Sequence, residues 1–491
     1  MKNNNKAWVN LQNFTLDKYK PEYRLQNFAL CISLVTAISI LLGSPIFTWL
    51  FENNYIAKWF WIYHTKNLNG FTGYVCVALA LMSILLSLHK GFHVKSSVLP
   101  LFLGAVLLQH GFALLENRGL QGLKDRADKT GHSEFLLRAV EQSSFVDTLK
   151  SYEERVNSGE LGRYPPSKPP GTLMFYMLSS RIADALAGDE FSDKPSRIKN
   201  LSQLMVFIWP LIAALVVFPS FAVAKKLLPV DISAYGVFFF LLTPSFCLIP
   251  LHTDQVLFPS LFMLNLWACL EITSKEGLPL WQPFGLGILF YLSAFIQFPM
   301  LTAIVPLIAL LLFSAPQRGL MALRAIVILG LTWAGFLLSD FAFKRLFDYD
   351  FLLRYRSALS YHGLWTGWRE EVRLQGIGSN LLEASIWIGP PIFWSFLAVS
   401  VTDIGRLRLF NSSSRSAVAF GIVLILIVLL LFGKSLSEVA RLWLFLMPSI
   451  CIYASATLNK INPAARMKRV TAITVAQVFL SFAIKQNMDF Y

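Results

Sequence analysis

The sequence predicts an all-α, polytopic membrane protein with about thirteen transmembrane helices. Three observations carry that expectation. Of 491 residues, 55% are hydrophobic and only 15% are charged, against about 25% charged in soluble globular proteins. Apolar runs near the ~20 residues needed to cross hydrocarbon recur along the chain. Lys and Arg gather in alternate connections, as the positive-inside asymmetry requires.

Residues 1–26 are polar and basic for too long to form a cleaved signal peptide, and read as a cytoplasmic tail. Two additional transmembrane helices follow within 27–96, at 27–50 and 71–88. A core over 97–275 holds spans at 97–115, 201–224, 232–251 and 255–273. The remainder, 276–491, adds 283–298, 299–313, 321–341, 380–403, 416–433, 441–458 and 470–486. Pro299 divides 283–313, which is either two short spans or one long kinked helix. With the N-terminus inside, the inner loops HKGFHVKSS, AKKLLPVD, TSKEGLP, SAPQRG, GRLRLFNSSSR and NKINPAARMKR are all basic, and the C-terminus falls outside.

Two large connections then lie outside, 116–200 and 342–379. Within the first, 171–188 is apolar but contains Arg181 and Asp184. A charge near the bilayer centre costs roughly 2.5–3.5 kcal/mol, so this segment reads as an amphipathic helix on the outer surface, with Leu173, Phe175, Met177 and Leu178 dipping into the interface. The formal net charge of +14 is assigned to membrane anchoring. No motif or basic-aromatic patch supports a nucleic-acid partner. Cys31, Cys76, Cys247, Cys269 and Cys451 each sit in an apolar run without metal or disulfide spacing, which suits small core residues.

Chemistry-bearing residues cluster at the outer ends. GRYPPSKPPG, residues 162–171, is stiffened by four prolines and would hold Lys168 at a defined place. Read plainly, it is loop-to-helix punctuation. Upstream, Glu134, Arg138 and Glu141 share a helix face, and a glutamate there is either a general base or a solvated charge. Asp254, flanked by His252 and Gln255, lies between two apolar spans with almost no loop. It could bind a metal, orient a hydroxyl, take a proton or cap the next helix. Arg441 opens a late span, where a guanidinium either forks onto phosphate or snorkels; Trp443 suits the interfacial belt. The second outer loop mixes Arg354, Arg356, Tyr361, His362, Trp365 and Trp368, side chains suited to sugar faces and phosphates or to lipid headgroups.

Taken together, these elements resemble the GT-C superfamily of integral-membrane glycosyltransferases, such as protein O-mannosyltransferases and the lipid A aminoarabinose transferase. Ser133-Glu134 stands where that family has an acidic pair, Lys168-Pro169-Pro170 follows at a similar interval, Arg197 in DKPSRIKNLSQL opens the next span, and Asp254 matches a second acidic position. Ser133 replaces the first acidic residue, leaving Glu134 alone there. The resemblance covers 97–275 well and the rest by general plan. It implies a polyprenyl-phosphate-linked sugar donor and a glycan, lipid or protein acceptor, reacting at the outer face of a bacterial inner membrane. Glu134 or Asp254 would be catalytic. Lys168, Arg197 and Arg441 would compensate the phosphate, with His252, Tyr361 and His362 also binding substrate. A divalent cation could assist through Glu134 and Asp254, though nothing in the sequence requires one. A lipid-linked glycan ligase or polymerase would instead shift weight to Arg354, Arg356 and His362. A transporter or flippase predicts charges in mid-span and an internal repeat.

Overall fold

The computed structural model describes residues 21–41, 62–63, 66–89, 94–130, 133–188, 193–249, 254–275, 277, 279–314, 321–366, 373–409, 412–432, 435–436, 438–459 and 461–489. Their regular elements are helices except for two two-residue strands. The first helices are α1 (Pro21–Leu41), α2 (Phe71–His89) and α3 (Val94–Leu114). The first long connection carries α4 (Gly119–Asp128), α5 (Glu134–Glu141), α6 (Phe145–Lys150), α7 (Tyr152–Asn157) and α8 (Pro170–Ala187). Then follow α9 (Lys194–Ala214), α10 (Val217–Leu227), α11 (Val230–Leu241), α12 (Pro244–Leu248), α13 (Phe258–Ser274), α14 (Trp281–Ile296), α15 (Ile304–Phe313) and α16 (Met321–Phe347). The last group is α17 (Phe351–Thr366), α18 (Arg373–Ile388), α19 (Pro390–Ile404), α20 (Ser414–Phe432), α21 (Val439–Leu442), α22 (Met447–Ser455) and α23 (Pro463–Asn487). Strands β1 (Ile62–Tyr63) and β2 (Met488–Asp489) pair antiparallel.

This is an integral membrane protein. Among the described residues, five helices are long and apolar enough to cross a bilayer singly: Lys194–Leu227, Asp254–Ser274, Ala322–Phe347, Ser414–Phe432 and Pro463–Asn487. In hydrocarbon every backbone polar group must be satisfied within the segment, which selects helices. Shorter apolar helices lie within several of the other predicted segments, and two bent helix pairs overlap 97–115 and 380–403. Some of these are broken. The expected span 380–403 bends by 113° between α18 and α19. The bend falls at Gly389, whose φ of 91° suits glycine. There Gln477 of α23 reaches in to donate to the Ile388 carbonyl at 2.7 Å, and a Cβ on Gly389 would collide with the same side chain.

The two ends of the bundle are each tied by polar contacts. At one end, Glu116 is met by Lys66 at 3.4 Å, Lys485 at 2.5 Å and Arg126. Burial pushes this carboxyl up, but Lys485 and Arg126 outweigh it and hold the pKa at about 2. This end gathers the connection after α1, the first long connection and the chain's last residues. At the other end, Lys226 pairs with Glu271 at 3.1 Å, Arg466 with Asp231 at 2.7 Å and Arg415 with Asp403 at 2.7 Å. The Glu116 cluster therefore brings segments far apart in the chain to one end.

Residues 281–313 form two limbs. Gly287 packs against the backbone at Thr332 and Phe336, and Gly335 against Phe284 and Ile288. Tyr291 meets Phe343 further along, and Phe295 meets Tyr349. Sequence numbers rise together on both partners, so α14 and α16 run parallel. The stretch 298–313 between them must run back.

Helix α8 corrects the surface-helix expectation in part. Its predicted interfacial residues Leu173 and Met177 are buried within the protein, while Leu178 is exposed. The charged residues that argued against a span are engaged: Arg181 donates to the Ser143 carbonyl at 2.6 Å and Asp184 pairs with Arg197 at 2.8 Å. Of the cysteines, Cys247, Cys269 and Cys451 are core residues as expected, whereas Cys31 is exposed.

Candidate functional site

The proline elbow is held from three sides. Glu134, first residue of α5, accepts the Arg163 amide at 2.7 Å and the Tyr164 amide at 2.5 Å. Gly162 makes this possible: its φ is 76°, and a Cβ there would strike the Glu134 carboxylate. The Tyr152 hydroxyl donates to the Pro165 carbonyl at 2.9 Å. Arg354, fully enclosed on α17, donates to the Pro166 carbonyl at 2.6 Å and pairs with Glu153 at 3.2 Å. The Pro165 carbonyl also accepts the Lys168 amide at 3.0 Å, closing the turn. The second long connection thus braces the first.

Clamped in this way, the chain passes through Lys168 in extended conformation and enters α8 at Pro170. Thr172 fixes that entry by donating to the Ile296 carbonyl at 2.9 Å, while Gln297 donates to Thr172 at 2.8 Å. The Lys168 ammonium lands on Asp254, 86 residues later, as a direct ion pair. Its other neighbour is the face of Phe135, 5.1 Å away. The pair is nearly enclosed, at 16% and 4% side-chain exposure. Arg441 and Glu438 lie close enough to act on Lys168 electrostatically and pair with each other at 2.8 Å. Burial pushes the Lys168 ammonium down from its ordinary value; Arg441 adds to this and Glu438 opposes it. Behind them, Glu383 of α18 accepts the Val439 amide at 3.1 Å. Gln255, beside Asp254, is wholly buried with neither amide atom hydrogen-bonded.

Three residues expected to act together, Lys168, Asp254 and Arg441, are therefore neighbours. Arg197 is placed elsewhere: it clasps Asp184, the Ser180 hydroxyl and the Val140 carbonyl, tying α9 to α8 and α5. Tyr361 and His362 lie half-buried on α17, two turns beyond Arg354. His252 and Trp368 lie outside the described residues. Trp443, expected in an interfacial belt, is instead buried at 1% exposure. Tyr152, Glu153 and Glu438 carry no motif that marks them in the sequence, although Glu438 stands three residues before Arg441, the spacing of a helical ion pair.

A cation shared by Glu134 and Asp254 does not fit this arrangement. Glu134 receives two backbone amides, and Asp254 faces an ammonium rather than a second carboxylate. Among the described residues, no three His, Cys, Asp or Glu side chains gather as a metal site would need.

No protein-family model and no curated protein sequence matches the chain. Similar solved structures include an archaeal oligosaccharyltransferase from Archaeoglobus fulgidus, in complex with an inhibitory peptide and a dolichol-phosphate. It is 12% identical with a TM-score of 0.49, covering 80% of this chain and 56% of that one. A second structure of an oligosaccharyltransferase from this organism, in complex with Zn and sulfate, is 11% identical with a TM-score of 0.43 over 79% and 53% of the two chains. A third, tethered to an acceptor peptide, is 11% identical with a TM-score of 0.44 over 80% and 55%. The chain spans little more than half the length of these similar proteins.

Proposed function

We propose that the protein is a membrane glycosyltransferase that moves a sugar from a polyprenyl-phosphate-linked donor to an acceptor hydroxyl. The reaction takes place at the outer face of a bacterial inner membrane, in a chain of thirteen crossings with the N-terminus inside and the C-terminus outside. The observation that carries this reading is the enclosed Lys168–Asp254 pair with Arg441 beside it, at the end of the bundle bearing both long connections. Two cations there suit a departing phosphate, and a carboxylate suits an acceptor proton.

In this scheme Lys168 neutralises Asp254 until the donor arrives. The donor phosphate then draws the ammonium, freeing the carboxylate. Asp254 takes the acceptor O–H proton, the acceptor oxygen bonds to the anomeric carbon, and the anomeric carbon–phosphate oxygen bond breaks. The leaving phosphate keeps the electron pair and is stabilised by Lys168 and Arg441. Glu134, Tyr152 and Arg354 position the elbow. Gln255 supplies an unpaired amide for a sugar or acceptor hydroxyl. Arg354 is enclosed against Pro166 and Glu153, which argues against the ligase reading that gave it a substrate role.

Sugar transfer from a panel of polyprenyl-phosphate sugars in proteoliposomes tests the proposal. Loss of a general base typically costs 10²–10⁴-fold, so Asp254→Asn and Lys168→Ala should lose transfer by about that much while remaining folded. Glu134→Gln keeps one acceptor oxygen for the elbow and should lose less. Transfer by Asp254→Asn at near the wild-type rate rejects the assignment.

A further inference from the structure

We propose that the cleft between α4, the C-terminal end of α8 and the first half of α9 is a binding site for a phospholipid with an anionic headgroup. It is separate from the Lys168–Asp254 site: its α8 lining begins at Ala183, some fifteen residues beyond Lys168, or roughly 20 Å at 1.5 Å per residue.

The cleft has a volume of about 410 Å³, within the ~300–1,000 Å³ usual for small-molecule sites. Its lining is amphipathic in the way a lipid is. Lys124, Gln121, Asn200 and Gln203 supply a polar end; Leu186 and Phe207 supply an apolar one. Among the described lining residues, Lys124 carries the one formal charge. The Asn200 Nδ2 is enclosed and has no hydrogen-bond partner, so an N–H there lacks the oxygen acceptor that a phosphate or ester would provide.

The surroundings argue for a bilayer lipid rather than a soluble anion. Helix α4 turns 91° from α3, so it lies across the bundle end at the level of headgroups. Leu178, Ile182 and Leu186 recur every fourth residue along the open face of α8, at 51%, 46% and 75% exposure. Phe207 continues that face at 52%. A soluble ion leaves this stripe uncovered, whereas an acyl chain running along it covers the stripe. Of the nearby acidic groups, Asp125 is turned to other cations, Arg118 at 3.3 Å and Lys129 at 2.9 Å. Asp128 lies within electrostatic reach of Lys124, and burial pushes its carboxyl up from the ordinary value.

Native mass spectrometry of the delipidated full-length protein in detergent, titrated with phosphatidylglycerol and separately with phosphatidylcholine, provides the test. Wild type should retain one phosphatidylglycerol in preference to phosphatidylcholine. Lys124→Gln should reduce that preference about fivefold, as expected for one cation near an anionic surface. Leu186→Trp, at an exposed position where folding is little affected, should block the mouth and weaken both lipids. Equal retention of the two lipids by wild type overturns the headgroup selection. Unchanged phosphatidylglycerol retention in both variants, each still unfolding cooperatively, overturns the site. Because neither variant touches the Lys168–Asp254 pair, sugar transfer serves as a separate readout, and failure of that activity leaves this test intact.

Discussion

Lys168 and Asp254 show how residue-scale chemistry depends on environment. An exposed lysine stays charged well above neutral pH. In this site burial and Arg441 press the ammonium towards its neutral form, while the Asp254 carboxylate in contact favours the charge. The active form in the proposed scheme is the ammonium. Transfer should therefore fall on the alkaline side at lower pH than an ordinary lysine would dictate. Lys168→Arg, whose guanidinium does not titrate in that range, should remove this limb if any activity remains. Asp254 substitutions that retain measurable transfer should move it further down, because the counter-charge is gone. A pH–rate profile of the three proteins checks both directions, and an alkaline limb unaffected by Lys168→Arg assigns it to another group. Proline placement made the elbow's stiffness legible in sequence. Its anchors were not: Tyr152 and Arg354 reach it from 13 and 188 residues away, and no local pattern records such contacts.

At the scale of elements, glycine determines how closely the helices approach. Gly287 and Gly335 let the backbones of α14 and α16 touch, the small-residue packing that membrane helices rely on when lipid is as apolar as leucine. Gly287→Leu has no room without moving Thr332 or Phe336, and overpacking of this kind costs about 1–3 kcal/mol or more. The variant should unfold at lower temperature in detergent than Gly285→Leu, whose Cβ position is open; equal melting of the two removes the close-approach argument. The helical character of the described apolar runs was legible in the sequence. Element continuity was not. The run 380–403 reads as one span, yet Gly389 and Gln477 bend it by 113°. The direction of 298–313 was also open until its neighbours showed that α14 and α16 run parallel.

For the whole molecule, the ion cluster at Glu116 joins two connections and the end of α23, all distant in sequence. Its folded pKa is depressed to about 2 from 4.5. A depressed carboxylate contributes stability that is present above the unfolded value and lost as pH falls through the folded one. The intact protein should therefore lose stability between about pH 4.5 and 2, and Glu116→Gln should flatten that part of the profile while melting lower at neutral pH. Thermal unfolding across pH measures this, and an unchanged acid slope in the variant counts against the cluster. Orientation is tested separately. With Cys31 and Cys76 replaced, Gly159→Cys should react with an impermeant maleimide from outside intact cells, and Lys275→Cys only after permeabilisation. The reverse pattern inverts the proposed topology.

Composition and apolar period by themselves determined that this is a helical membrane protein and where its chain runs apolar. Those are local or additive properties, and hydrocarbon penalises every exception to them. The sequence also marked Asp254 and Arg441, as charges beside apolar runs, and Lys168, through the prolines that flank it. Only the tertiary structure decided which of the marked charges meet. Lys168 pairs with Asp254, Arg197 is drawn off to Asp184, and Glu134 becomes a backbone anchor. Partner choice is a matter of ångströms between segments far apart in the chain, and it is settled by how the helices pack.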